Sequence, residues 1–321
     1  ALGNVTIVAA DVNNGSSDNC GPVTLAIDVS TFTCTDIGAN TVKLYVTDAN
    51  SNVDSTIATV TVIDTLNPTA VAQNITVYLD GSGNATIVAA DLDNGSGDNC
   101  STVTLAINAS NFDCSEVGAN TVKLYVTDAN SNVDSTTATV TVLDTLNPTV
   151  VAQNVTVYLD ATGNASITAA NINNGSVDNC TSVTLAASPT VFTCANLGTN
   201  NVTLTVADGQ GNTSTTIAVV TIADIASPSA TAQNITVNLD ASGNATIVAA
   251  DIDNCSTDNC TSVTLAASPT AFTCSNIGTN NVTLTVTDGS GNTSTATAVV
   301  TVADIASPTA IAQNITVNLD A

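Results

Sequence analysis

The sequence predicts an all-β protein, a tandem array of four antiparallel β-sandwich repeats of about 80 residues each. Cysteine, proline and phenylalanine recur at this interval through the whole 321-residue chain, for example at Cys20, Cys100, Cys180 and Cys260. Within each repeat apolar residues alternate with polar ones, which is the pattern of strands with one buried face. No stretch has the apolar spacing of a helix.

The predicted strands follow one another in the second repeat as five alternating runs, at residues 75–79, 85–89, 103–107, 122–126 and 138–142. Clusters of Gly, Asn and Asp separate the runs and indicate tight turns. Six or seven short strands in about 80 residues, broken by turns, indicate a small antiparallel sandwich of immunoglobulin-like type.

Proline marks the predicted boundaries of the repeats. Pro68 lacks an N–H group and cannot lie inside a ladder, so it precedes a first strand. The predicted domains are 1–66, which lacks its first strand, then 67–146, 147–226, 227–306, and finally 307–321, the first strand of a following repeat. The simplest interpretation is a window through a longer array, which the absence of Met also favours. The alternative is strand donation, in which residues 307–321 of one chain complete the head of the next.

Composition excludes several classes of function. The net charge is -25 with two basic residues, so the chain would repel nucleic acids and anionic lipid headgroups. There is no His for catalysis or metal binding, and no apolar run approaches the roughly 18 residues that would insert into a membrane. Paired carboxylates such as Asp91 and Asp93 lack the aromatic platform of a glycosidase cleft. We therefore expect no enzyme activity.

Two cysteines that lie close together in each repeat predict a local disulfide there, namely Cys20–Cys34, Cys100–Cys114, Cys180–Cys194 and Cys260–Cys274. Closing a loop of about 15 residues stabilises a small domain by roughly 3 kcal/mol. Disulfides also indicate an oxidising, extracellular location. The ninth cysteine, Cys255, replaces a glycine of the other repeats and is predicted to be unpaired. The alternatives for it are competition for Cys260 or Cys274, or an intermolecular link.

Oxygen-rich loops are the candidate metal sites, because calcium prefers six to eight oxygen ligands around a turn. The predicted ligands are Asp91, Asp93, Asp98, Asp251, Asp253, Asp258, Asp11, Asn13 and Asp18. The third repeat weakens this prediction, since it has Asn171 and Asn173 and keeps only Asp178. A second, weaker candidate is the loop that begins at Asp48, or at Asp128 in the second repeat. In both cases the alternative is turn formation, with side-chain oxygens accepting backbone N–H groups.

Several motifs together resemble the hyalin repeat. They are Asp-Asn-Cys, a Phe-x-Cys about 14 residues on, Val-Gly-Ala-Asn-Thr-Val or Ile-Gly-Thr-Asn-Asn-Val, and Val-Thr-Asp-Gly-Ser-Gly-Asn followed by Val-x-Val-x-Asp. The chain is similar to the tandem repeats of very large secreted surface adhesins of flavobacterial type, which use type IX secretion. It departs from the hyalin pattern where Ala138 and Ala296 replace a cysteine. The resemblance implies a bacterial cell-surface spacer or adhesive repeat, with candidate O-glycan acceptors at Thr65, Thr145, Ser55 and Ser135.

The predicted function is thus the stalk of a long extracellular adhesin or fibre that projects a binding tip. One alternative is a filament subunit joined by strand donation, and a weaker one is a calcium-dependent carbohydrate-binding module. The expected partners are neighbouring repeats of the same or identical chains, surface glycans, and a host or substratum. Calcium is the only expected cofactor.

Overall fold

The computed structural model describes residues 3–260 and 262–318, and it confirms the predicted all-β fold class. The first repeat contains two short 3-10 turns, Ala9–Val12 and Cys34–Asp36. Its strands are β1 (Asn4–Thr6), β2 (Thr24–Ile27), β3 (Thr31–Thr33), β4 (Gly38–Thr47) and β5 (Val53–Val62).

The other three repeats have six strands and a one-turn helix each. The second contains β6 (Ile75–Tyr78), β7 (Asn84–Thr86), α1 (Ala89–Leu92), β8 (Thr104–Ile107), β9 (Asn111–Asp113), β10 (Gly118–Thr127) and β11 (Val133–Leu143). The third contains β12 (Val155–Tyr158), β13 (Asn164–Ser166), α2 (Ala169–Ile172), β14 (Thr184–Ser188), β15 (Val191–Thr193), β16 (Gly198–Ala207) and β17 (Thr213–Ala223). The fourth contains β18 (Ile235–Asn238), β19 (Asn244–Thr246), α3 (Ala249–Ile252), β20 (Thr264–Ser268), β21 (Ala271–Thr273), β22 (Gly278–Thr287) and β23 (Thr293–Ala303). A 3-10 turn follows the fourth strand of each of these repeats, at Cys114–Glu116, Cys194–Asn196 and Cys274–Asn276.

Each complete repeat is a sandwich of a larger and a smaller sheet. In the second repeat the four-stranded sheet has the order β6-β11-β10-β8, and β7 pairs with β9 in the smaller sheet. All of these pairs are antiparallel except β6 with β11, which is parallel and pairs Ile75 with Val140. The parallel pair was not predicted. It arises because the first and last strands of a repeat run in the same direction, from the end where the chain enters to the end where it leaves.

Two local elements also differ from the prediction. The alternation over residues 85–89 predicts a longer strand, but β7 ends at Thr86 and a helical turn follows. That turn places Leu92 in the core, fully buried. The short strand β9 was missed because three residues give too little alternation to recognise. It places Phe112, which is 3% exposed, in the core.

The core of each repeat lies between its two sheets. In the second repeat, the alternating apolar residues of β10 and β11 point into this core. In the second repeat Val122, Leu124, Val140 and Val142 are fully buried. Equivalent positions on β16, β17, β22 and β23 are buried in the same way. The period-two pattern in the sequence is therefore confirmed as the pattern of core residues.

The described residues form two compact units. The first contains the residues up to Asn147 together with Asp178–Ser182 and Asp208–Asn212, and the second contains Pro148–Val177, Val183–Ala207 and the residues from Thr213 onward. The predicted boundaries at 66, 146, 226 and 306 stay predictions. No helix in the described part of the chain is both long enough and apolar enough to span a bilayer.

Candidate metal centre

Among the residues that the structure describes, three clusters of aspartates, which we call the triads, recur once per repeat step. Each combines the aspartate that follows a last strand with two loop aspartates of the next repeat. The members are Asp64, Asp98 and Asp128 in the first, Asp144, Asp178 and Asp208 in the second, and Asp224, Asp258 and Asp288 in the third. In each triad one carboxylate oxygen per residue lies within 4.8 Å of the others. The first two triads lie in the first compact unit and the third lies in the second unit.

The hairpin loop between β10 and β11 fixes the third member of the first triad. Asp128 Oδ1 accepts the N–H groups of Asn130 at 2.9 Å and Asn132 at 2.8 Å, while Oδ2 accepts the Asn132 side-chain amide at 2.8 Å. Burial raises the pKa of the Asp128 carboxyl, but the hydrogen bonds from Asn132 and the loop N–H groups outweigh burial and lower the pKa below its ordinary value. Asp128 is therefore held as an anion although it is 5% exposed.

The same asparagine fixes the linker against the loop. Asn132 Nδ2 also donates to the main-chain carbonyl of Asp64 at 3.2 Å. The bond recurs from Asn212 to Asp144 and from Asn292 to Asp224, each at 3.2 Å. One amide thus holds both a triad carboxylate and the backbone of the linker aspartate.

The other two members of each triad have one oxygen without a partner. In the second triad, Asp144 Oδ1 accepts the Leu146 N–H at 3.1 Å, and Asp178 Oδ2 accepts the Cys180 N–H at 3.0 Å. The second oxygen of both carboxylates is buried and receives no hydrogen bond, and the same holds in the other triads. Asp144 and Asp224 are only 6% and 7% exposed. A buried carboxylate oxygen without a partner is costly unless a cation or a donor satisfies it.

The donor chemistry of the triads fits a hard cation. Three carboxylates from three chain segments converge, and calcium favours carboxylate and carbonyl oxygens in a flexible arrangement of six to eight ligands. Charge balance must come from outside the chain, because its two basic residues are engaged elsewhere. Lys43 lies over the Tyr45 ring at 5.1 Å, and Lys123 lies over the Tyr125 ring at 5.0 Å.

Three of the predicted ligands lie at the triad position of their loops, and the other six do not. Asp98 and Asp258 belong to triads. Asp18 occupies the equivalent place in the first repeat, where its Oδ2 accepts the Cys20 N–H at 2.8 Å.

The remaining predicted ligands form turns instead. Asp11, Asp91 and Asp251 accept the N–H three residues earlier, at 2.7–2.8 Å, and close a short helical turn. Asn13, Asp93 and Asp253 accept the N–H of a serine three residues later. For these six residues the turn interpretation fits the structure better than the metal interpretation.

Sequence reasoning missed the linker aspartates Asp64, Asp144 and Asp224 altogether, and it ranked the Asp128 loop second. A signal for both was present. The triad positions are aspartate in every repeat, whereas the position of Asp91 becomes Asn171 in the third.

The predicted disulfide pairing within repeats is wrong. The bonds run from one repeat to the next, as Cys34–Cys100, Cys114–Cys180 and Cys194–Cys260, each with a sequence separation of 66 residues. The Cα–Cα distances of 5.0–5.2 Å are ordinary for disulfides. The physical reason is that the turn after each Phe-x-Cys strand lies against the Asp-Asn-Cys loop of the next repeat, with Cys114 Sγ 3.6 Å from the Asn179 main-chain oxygen. The cysteines of these two elements therefore pair between repeats.

Three described cysteines are not in disulfides: Cys20, Cys255 and Cys274. The unpaired state predicted for Cys255 agrees with this structure, and its proposed competition for Cys260 does not, because Cys260 pairs with Cys194. Cys255 is exposed and has φ +58, the left-handed conformation that glycine adopts at the same place in the other repeats. The suggested glycan acceptors Thr65, Thr145 and Ser55 are exposed, and Ser135 is half-buried.

Comparisons with known proteins identify no family. No protein-family model and no curated protein sequence matches the chain. Among solved structures, extracellular cadherin domains 1–4 of protocadherin gamma B7 share 11% identity over 87% of this chain and 91% of that chain, with a TM-score of 0.33. Drosophila N-cadherin domains share 10% identity over 92% and 97%, with a TM-score of 0.31. A three-immunoglobulin-domain fragment of titin shares 9% over 74% and 99%, with a TM-score of 0.34. Similarity of this degree identifies no shared activity.

Proposed function

We propose that this chain is a structural spacer, the stalk region of a long extracellular surface protein of the hyalin-repeat-like adhesin type, whose joints are stiffened by bound calcium. The observation that carries the proposal is the recurrence, at three successive repeat steps, of a disulfide and an aspartate triad between consecutive repeats. Disulfides at every step fit an oxidising, extracellular location. The charge of -25 favours a soluble array that does not associate laterally.

Calcium is the cation that the triads fit best. The residues that would hold it in the first triad are Asp64, Asp98 and Asp128, and the unpartnered oxygens of Asp64 and Asp98 are the available ligand atoms. Calcium tolerates irregular oxygen sets, whereas magnesium requires a near-ideal octahedron. When bound, the ion supplies positive charge that neutralises three neighbouring carboxylates.

The stiffening follows from where the three carboxylates come from. Asp64 lies in the linker after β5, whereas Asp98 and Asp128 lie in two loops of the second repeat. Without a cation the carboxylates repel one another and the linker is pushed from the loops. With the charge neutralised, the linker is held by Asn132 and by the shared ligand set together. The predicted result is a joint that bends less in calcium than in chelator.

The test is calorimetric titration of the chelator-treated chain with calcium, compared with an Asp178→Asn variant. The stoichiometry should fall by one binding site in the variant, because Asp178 contributes an unpartnered oxygen to the second triad. Asp240→Asn is a matched control, since Asp240 forms an exposed turn with Ser242 and Asn244 outside the triads. Equal stoichiometry in all three proteins would remove calcium from the proposal.

Strand donation remains a second candidate, and one observation favours it. In the described tail, Ile315 and Val317 are 75% exposed and correspond to Ile75 and Val77 of β6. A second copy of the tail has the sequence to pair beside β5. Light scattering of the purified chain tests this, because polymers that dissociate when residues 307–321 are deleted would support it and a stable monomer would exclude it.

A further inference from the structure

Along the sequence, only a short segment separates the end of one disulfide loop from the start of the next. From Cys34 the covalent path crosses to Cys100, and the next disulfide begins close by at Cys114. A segment of the same length joins Cys180 to Cys194, where the third disulfide begins. The long stretch between the two partners of each bond, with a sequence separation of 66 residues, is closed into a loop by that disulfide.

We propose that this series of disulfides is a mechanical bypass that carries tension along the array and keeps it from lengthening when it is pulled. Force applied at the ends passes through the disulfides and the short segments that join them, because these form the shortest covalent path. The loop between Cys114 and Cys180 contains β10 to β13, and none of these strands lies in that path. The inference rests on the proposed spacer function and adds what the spacer does under load.

The packing of a glycine against the disulfide sulfur recurs in successive repeats, which indicates that the disulfide is a regular feature of the array. At Gly83 a Cβ atom would lie 2.5 Å from the Cys114 Sγ, and at Gly163 it would lie 2.6 Å from the Cys194 Sγ. Both glycines also have φ +75, a conformation that residues with a side chain rarely adopt. Glycine is therefore required at these positions both by the close sulfur atom and by the backbone conformation. Cys114 and Cys180 pack against the core of the second repeat, and Cys194 and Cys260 pack against that of the third.

Between one disulfide and the next, only a short edge segment of the repeat remains under load. Residues 100–114 contain β8, the edge strand beside β10, and β9, the partner of β7. Fully extended, this segment of about 14 residues spans about 50 Å, whereas a whole repeat of about 80 residues would span about 280 Å. Pulling can therefore peel off β8 and β9, but it cannot extend the buried hairpin of β10 and β11.

Single-molecule force extension of the full chain, with handles at both ends, tests the bypass. In oxidising buffer the fourth repeat can unfold, because β22 and β23 lie beyond the last disulfide. A thiol reductant should then add three steps, each releasing 66 residues, or about 230 Å of contour length. Release of only about 50 Å per reduction, or full unfolding of every repeat without reductant, would overturn the inference.

Variants make the test specific to one loop. The double variant Cys114→Ser with Cys180→Ser should show one additional 66-residue step in oxidising buffer. Cys255→Ser is the control and should match the unaltered chain, since Cys255 is in no disulfide. Each protein is pulled in calcium and in chelator. The step lengths report the bypass alone, and calcium titration reports the triads, so either idea can fail without the other.

Discussion

The substitution Asp144→Asn should stabilise the calcium-free chain and weaken its response to calcium. Asp144 is 6% exposed and lies within 4.8 Å of Asp178 and Asp208, measured between carboxylate oxygens. At an effective dielectric constant of about 20, two unit charges at that distance repel by about 3.5 kcal/mol. Because Asp178 is partly exposed, screening reduces this to roughly 1–2 kcal/mol per pair. The variant loses two of the three repulsions and retains an oxygen for the Leu146 N–H.

The assay is thermal unfolding in chelator and in calcium. In chelator we expect the melting temperature of the variant to rise by about 4–16 °C, from the roughly 2–4 kcal/mol of removed repulsion in a compact unit of about 150 residues. A single site contributes about 2.7 kcal/mol at a calcium concentration about 100 times its dissociation constant, and the variant should lose that increment.

Asp91→Asn is the matched control for loss of one charge in the same compact unit. Asp91 accepts the Val88 N–H at 2.7 Å, and the third repeat makes the same bond with Asn171, so the turn should survive. If Asp144→Asn destabilises the calcium-free chain and leaves its calcium response unchanged, the triad is not a site of charge repulsion and our reasoning fails.

Three further predictions concern single side chains. Gly163→Ala should prevent the adjacent disulfide from closing, as measured by thiol titration, whereas Gly175→Ala, at φ +82 with nothing near its Cβ, should change stability only. Asn212→Ala should cost about 1–3 kcal/mol in chemical unfolding, because it removes a hydrogen bond to a triad carboxylate at 2.7 Å and one to a linker carbonyl at 3.2 Å. A hydrogen bond from the Ala70 N–H lowers the pKa of Asp134, so its contribution to stability is present at neutral pH and is lost as pH falls through the lowered pKa. Carboxyl NMR should place that midpoint below the ordinary aspartate value, and an ordinary midpoint would contradict the hydrogen bond.

Strand positions could be predicted from the sequence because burial imposes a period of two on β10 and β11. Val122, Leu124 and Val140 were assigned to the core by alternation alone, and they are fully buried. The one-turn helix at Ala89–Leu92 was not predictable in this way, since four residues are too few to show a helical period.

The disulfide pairing was not predictable from spacing. The same two cysteine positions recur in every repeat, and the repeats have equal length. The spacing is therefore equally compatible with a partner in the same repeat and with a partner 66 residues away in the next repeat. The structure decides between them because Cys114 lies beside Asn179, with its Sγ 3.6 Å from that main-chain oxygen. The triads were missed for a related reason. Asp64 and Asp98 lie far apart in sequence, and local spacing favours ligands within one loop.

The central claim is that disulfides link each repeat to the next, and trypsin can test it directly. The only basic residues are Lys43 and Lys123, and each lies inside a disulfide loop, between Cys34 and Cys100 or between Cys114 and Cys180. The oxidised chain is alkylated, unfolded in urea, digested and run with and without reductant. We predict one full-size species without reductant and three fragments, 1–43, 44–123 and 124–321, with reductant. Three separate fragments without reductant would show pairing within repeats and would contradict the account.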